Sequence, residues 1–270
     1  MLWGVLLVPV ALYCAAGAGL WLFQRNLIYP GAHGIVKGRR EPPPGVESIA
    51  VRTADGETLA ALWRAPAPGC GLVVSFHGNA SVPAMHAERF LGGPWAAHGW
   101  GFLAVAYRGY PGSTGRPSES GLIADGRAAV AEAGRRAPGS PVLLHGHSLG
   151  TAVAVAVAAE RPHLGLYLEA PFDSMVAMAR LRFPLMPSLL LRDTFRSDAR
   201  IRAVTGPIVI VHGDADPVIP TQFGRRLAHA APTGTRFAVV AGDHVSLLGR
   251  EDSAAEALFR ARVPAGCIAG

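Results

Sequence analysis

Six runs of consecutive apolar residues, GLVVSFHG, GFLAVAYRG, PVLLHGHS, LGLYLEAP, PIVIVHGD and TRFAVVAGDH, recur between residues 71 and 244. They do not alternate apolar with polar residues as a strand with one wet face does. Continuous Val/Leu/Ile runs belong to strands buried on both faces, and so to a mostly parallel sheet covered by helices. Helix-like segments fall between them, at about 82–97, 118–136, 149–160, 221–230 and 252–262. Such alternation builds an α/β fold whose ligands sit at the carboxyl ends of the strands. With 270 residues, half of them hydrophobic, the chain can bury one domain of this kind. Upstream, VESIAVRT and ADGETLAALWRAP read as a hairpin turning at Asp55-Gly56.

The third run ends in Gly146-His147-Ser148-Leu149-Gly150, followed by an almost pure Ala/Val segment. This G-x-S-x-G is informative because a strand precedes it and a helix follows. A sharp turn there lifts the serine Oγ above the sheet, and glycine at both flanks removes side chains that would clash. The helix starting at Leu149 aims free N–H groups and its positive end at the same point, so the Leu149 N–H is a candidate oxyanion donor. A serine nucleophile needs a base oriented by an acid. PIVIVHGDADPVIP offers Asp214 and Asp216, Asp173 follows an earlier strand, and VVAGDHVSLL offers His244 as base. His77, His145 and His212 read as packing or loop-bonding groups, and His147 should point away from the serine. His145 and His147 lack the further ligands a metal site needs, so neither metal nor cofactor is expected.

MLWGVLLVPVALYCAAGAGLWLFQ carries no charge before Arg25, about the length that crosses a hydrocarbon core. Residues 1–24 are therefore expected to be a transmembrane anchor, 25–45 a linker stiffened by Pro42–Pro44, and 46–270 the catalytic domain. A signal peptide cut within AAGAG is the competing reading, disfavoured because no Lys or Arg precedes the apolar region. Arg25, Lys37, Arg39 and Arg40 follow the span, which places the domain on the cytoplasmic side. The net charge of +6 is scattered, so nucleic acid is not an expected partner. Three cysteines are too few and too widely spaced for a disulfide framework or a zinc site, and the final CIAG is a poor prenylation box.

One interruption breaks the strand–helix rhythm. From about 173 to 201 the chain is long, rich in Met, Leu and Phe, and broken by Pro184 and Pro187. It reads as a small helical cap over the carboxyl ends of the strands, with Met178 and Leu185 contacting an apolar substrate. An ordinary crossover helix with a ragged loop is the plainer alternative.

Taken together, Gln24–Pro30, the FHGNA of Phe76–Ala80, the YRGY of Tyr107–Tyr110, Gly146–Gly150, Glu169–Phe172, His212–Asp216 and Gly242–His244 resemble the α/β-hydrolase superfamily. The likeness is to its membrane-anchored branch and covers nearly the whole chain in order. It implies an α/β-hydrolase fold with Ser148 as nucleophile, Asp216 as acid and His244 as base. It also implies the backbone N–H of Asn79 as the second oxyanion donor. Pro111 and Val245-Ser246 depart from the usual pattern, the first at the expected mouth of the site. The function implied is a serine hydrolase cleaving an acyl ester or thioester, a lipid-derived substrate being favoured by an apolar cap beside an anchor. A peptidase or amidase on the same residues, or a membrane-tethered binding protein, are the alternatives.

Overall fold

The computed structural model describes residues 2–36, 41–264 and 266–267, with side chains from residue 8 onward. Outside the described residues lie three of the four basic residues on which the cytoplasmic orientation rests, and the last three positions of CIAG. The strands are β1 (Glu47–Arg52), β2 (Thr58–Arg64), β3 (Leu72–Phe76), β4 (Gly101–Val105), β5 (Val142–His147), β6 (Gly165–Glu169), β7 (Ile208–Gly213) and β8 (Arg236–Val240). They form one sheet in the order β1-β2-β4-β3-β5-β6-β7-β8. Pairing is antiparallel at β1–β2 and β2–β4 and parallel from β4 onward.

The helices are α1 (Leu2–Ile28), α2 (Ala84–Phe90), α3 (Gly93–Ala97), α4 (Glu119–Arg136), α5 (Leu149–Ala158), α6 (Met175–Arg182), α7 (Ser197–Arg200), α8 (Gln222–Ala230) and α9 (Asp252–Arg260). Neighbouring strand residues feed opposite cores because side chains alternate across a sheet. Val74, Leu144 and Ile210 pack with α4, α5 and α8, whereas Val73, Leu143 and Val209 pack with α2, α3 and α9. Continuous apolar strands are the consequence of two cores. Every residue of α5 is buried, which only an Ala/Val-rich helix pressed between sheet and α4 permits.

The cap is sparse: α6, a 3-10 turn at Ser188–Leu190, and α7. The N-terminal segment departs from expectation. Helix α1 does not end at Gln24 but runs to Ile28, and Tyr29 is fully buried in the domain core. The Arg25 guanidinium donates to both oxygens of Asp193 (2.9 and 3.1 Å), and the Tyr29 hydroxyl donates to the same carboxylate at 3.0 Å. The Gln24 side chain donates to the Leu190 carbonyl and accepts from the Arg192 N–H. The first residues assigned to a linker are thus the clasp between α1 and the cap. Among the described residues no helix is long and apolar enough to cross a membrane, so the expected span is not seen.

The cysteines also require correction. Cys70, just before β3, is bonded to Cys267, which follows α9, across a separation of 197 residues. Sequence spacing could not pair them, because only the folded sheet brings the two segments side by side. Linking positions so far apart restricts the unfolded chain strongly. Cys70→Ser is expected to lower unfolding free energy by about 2–4 kcal/mol. Urea denaturation with and without reductant checks this: identical midpoints for the wild type in both conditions would rule it out.

Candidate active site

Ser148 sits between β5 and α5 with φ 53° and ψ −119°, in the left-handed region that a residue with a Cβ avoids. Close contact makes both flanking glycines obligatory. A Cβ on Gly150 would lie 2.0 Å from the Phe76 carbonyl oxygen, and one on Gly146 would lie 2.5 Å from the Gly150 oxygen. The turn is held from both sides: the Ser148 N–H donates to the Glu169 carbonyl at 2.9 Å, and the Thr151 hydroxyl donates to the Ser148 carbonyl at 2.6 Å. Leu149 opens α5, where backbone N–H groups have no partner within the helix.

His244 lies on the loop after β8, with Nε2 2.9 Å from Ser148 Oγ and Nδ1 2.7 Å from Asp216 Oδ2. Asp216 is itself fixed, its Oδ1 accepting the N–H groups of Val218 (2.8 Å) and Ile219 (2.9 Å). Burial pushes its carboxyl up, but the nearby His212 imidazole (3.6 Å) and the hydrogen bonds with His244 and the Ile219 N–H outweigh this and hold it below the usual carboxylate range. Neither rival acid reaches His244. Asp214 accepts the Gly242 N–H, tying the β7 and β8 loops together. Asp173 pairs with Arg226 and accepts the Ser174 N–H. Ser246, in the second of the two departures from the usual pattern, accepts the Asp243 N–H at 2.8 Å and so braces the turn carrying His244.

A cavity of ≈ 300 Å³ opens over Ser148, lined by Asn79, Leu149, Phe172, Met175, Met178, Phe183, Met186 and Ile219. Met178 is on this lining. Leu185 is not: it is 79% exposed, and its carbonyl accepts from the Tyr13 hydroxyl at 2.7 Å. Helix α6 stops at Arg182, before Pro184, and of the residues that follow it Phe183 and Met186 line the cavity while Leu185 between them turns to solvent. Pro111 lines a separate shallow cleft beside β1 and β2, away from the mouth. The wall opposite the cap is α1, through Leu20, Trp21, Leu27 and Ile28, which no motif announced.

A second group missed by sequence reasoning lies behind the serine. His147 Nε2 is 2.9 Å from the carbonyl oxygen of His244, so this nitrogen carries the proton and donates. His145 joins Ser75 (2.9 Å) to Glu169 (2.9 Å), and Arg89 pairs with Glu169 and Asp252. Burial works to raise the Glu169 carboxyl, but Arg89 and His145 hold it below the usual range. Burial pushes His77 down to about 4 and His147 to about 3, the latter helped by neighbouring His244. His86 is driven well below its ordinary value, again mainly by burial. These three imidazoles are neutral in the folded state, while the unfolded chain binds their protons below 6.5. Their contribution to stability is therefore full above about pH 6.5 and is lost progressively as the pH falls below it, because the unfolded chain takes up protons that the folded state refuses. The urea midpoint is expected to drop steeply between pH 7 and pH 5; equal midpoints would contradict the burial of these histidines.

Among the described residues, no group of His, Cys, Asp and Glu could hold a metal ion. Residues 67–192 match the serine aminopeptidase S33 family. A protein of Mycobacterium tuberculosis with uncharacterised function is 36% identical over 231 residues, covering 83% of this chain and 80% of that one. The lysophosphatidylserine lipase ABHD12 of Xenopus tropicalis is 28% identical over 205 residues, covering 69% of this chain. This chain spans 53% of that lipase, about half its length. A Pyrococcus furiosus esterase has the same fold, with a TM-score of 0.63 at 18% identity over 87% of this chain and 99% of that one. By these likenesses the chain has the α/β-hydrolase fold and belongs to one family with the Mycobacterium tuberculosis protein.

Proposed function

We propose that the protein is a serine ester hydrolase that cleaves apolar acyl esters through an acyl-enzyme. The observation that carries this reading is the hydrogen-bonded chain Asp216–His244–Ser148 opening directly into an apolar cavity. Ser148 Oγ attacks the ester carbonyl carbon while its proton passes to His244 Nε2. The backbone N–H groups of Leu149 and Asn79 receive the oxyanion. Collapse of the tetrahedral intermediate breaks the bond to the alcohol, which leaves with the proton from His244. Water then repeats the sequence and releases the carboxylic acid. Asp216 keeps His244 in the tautomer with Nδ1 protonated and stabilises the imidazolium. The relatives named as lysophosphatidylserine lipases support a lipid-derived ester.

The match to a serine aminopeptidase family raises the amidase alternative. A free α-amino group calls for a carboxylate near the serine. The cavity lining has none, and its charged members are Arg180 and Arg182. Those cations and the apolar walls favour an acyl chain with a neutral or anionic head.

A lipid surface as the working environment is part of the same proposal. Val8, Leu12, Leu22 and Phe23 of α1 and Leu185 and Leu189 of the cap are exposed on the two elements that wall the cavity. Soluble surfaces rarely carry such a cluster. The Cys70–Cys267 bond favours an oxidising compartment over the cytoplasmic side expected from the basic residues after α1.

Ser148→Ala is expected to abolish ester hydrolysis and fluorophosphonate labelling while the circular dichroism spectrum is kept. Labelling that persists in this variant would refute the assignment. Asp216→Asn should lower kcat by about 10³–10⁴-fold, from loss of the correct imidazole tautomer. Asp214→Asn should cost far less; if both variants fold and Asp214→Asn is the more damaging, the acid is misassigned.

A further inference from the structure

The cavity over Ser148 has two walls that do not belong to the same part of the chain. One is the cap; the other is α1. On a helix, Tyr13, Gly17, Leu20, Trp21, Gln24, Leu27 and Ile28 fall on one stripe at 3.6-residue spacing. This stripe faces the cap. At its upper end the Tyr13 hydroxyl donates to the Leu185 carbonyl, and a Cβ on Gly17 would lie 3.8 Å from Met186 Sδ. At its lower end Gln24 bridges Leu190 and Arg192, Arg192 stacks over Trp21 at 3.8 Å, and Arg25 pairs with Asp193.

The two elements are thus pinned at both ends by polar contacts. Along the same stripe Leu20, Trp21 and Ile28 share the cavity lining with Met178, Phe183 and Met186 of the cap. Protein interiors normally fill such space, because apolar side chains without neighbours lose dispersion contacts. A slot left open between two apolar walls and ending at a reactive hydroxyl is suited to a guest.

We infer that α1 is the second wall of an acyl-binding groove and a determinant of chain-length specificity. This rests on the ester-hydrolase reading above. The occupant is the single unbranched acyl chain of the ester whose carbonyl meets Ser148. The chain lies along the stripe from Ile28 toward Leu20, between α1 and α6. The outer face of α1 carries Leu12, Leu22 and Phe23, all exposed, so the groove's rim is continuous with the apolar surface that would touch lipid. Removing α1 would then take away half the acyl site along with the means of lipid contact.

A palmitic acid analogue with a diazirine near its methyl end, photolysed with the Ser148→Ala protein, tests the groove without relying on catalysis. Peptide mass spectrometry is expected to find adducts in residues 20–28 as well as in α6. Adducts confined to the cap or to the sheet domain would overturn the inference, whatever the wild type hydrolyses. In parallel, Leu20→Gln is expected to lower the ratio of kcat/KM for palmitoyl over acetyl esters about tenfold, the scale of one or two lost apolar contacts. An unchanged ratio in an active variant would also overturn it. A wild type that cross-links along α1 but hydrolyses no ester would instead defeat the ester reading and leave the groove standing.

Discussion

The backbone at Ser148 is the constraint around which the rest of the structure is arranged. An L-residue at φ 53° is held there only because both neighbouring turns close on it with no side chain in the way. Gly150 brings α5 against the end of β3 closely enough that a methyl group would overlap the Phe76 carbonyl. The same proximity puts the start of α5, with its unpaired N–H groups, beside the serine oxygen. The turn also requires a strand on each side: β3 supplies the surface that Gly150 touches, and β6 supplies the Glu169 carbonyl that accepts the Ser148 N–H. Sheet order, helix packing and the exposed hydroxyl are one arrangement.

The charged interior behind this turn has the same logic. Arg89, Glu169, His145 and Asp252 form a buried ionic network on the face of the sheet covered by α2 and α9. Removing charges from water is costly unless each finds a partner, and here each does. Glu169 is central, since its backbone holds Ser148 while its side chain holds Arg89 and His145. His147 extends the support to the base by fixing the His244 carbonyl. Groups that never touch a substrate thereby set the distance between the serine and its imidazole.

Asp193 plays the corresponding part for the N-terminal helix. Its carboxylate is buried and receives Arg25, Tyr29 and the Glu119 N–H, so α1, the cap and α4 meet at one anion. Glu119 in turn accepts the N–H groups of Thr194 and Phe195. The cap has little core of its own, since no residue of α6 is fully buried. Its position over the serine depends on this knot of hydrogen bonds more than on apolar packing.

Much of this was legible in the residues. Continuous apolar runs point to a parallel sheet covered on both faces, which holds for β3 to β7, whereas the edge strand β8 carries the same kind of run with no residue fully buried. Gly146–Gly150 between a strand and a helix determines the sharp turn, and chain order alone narrows the acid to a few aspartates. What the sequence left open concerns contacts between distant segments. Asp214 and Asp216 stand two residues apart, and only the folded loop shows one tying strands together and the other reaching His244. The pairing of Cys70 with Cys267, the seat of His147 under His244, and the exposure of Leu185 have no local signal either. Helix α1 is the clearest case: an apolar helix reads the same whether its stripe meets lipid or another part of the protein. Hydropathy records that a face avoids water, and only the tertiary structure, through Arg25, Tyr29 and Asp193, decides what it faces instead.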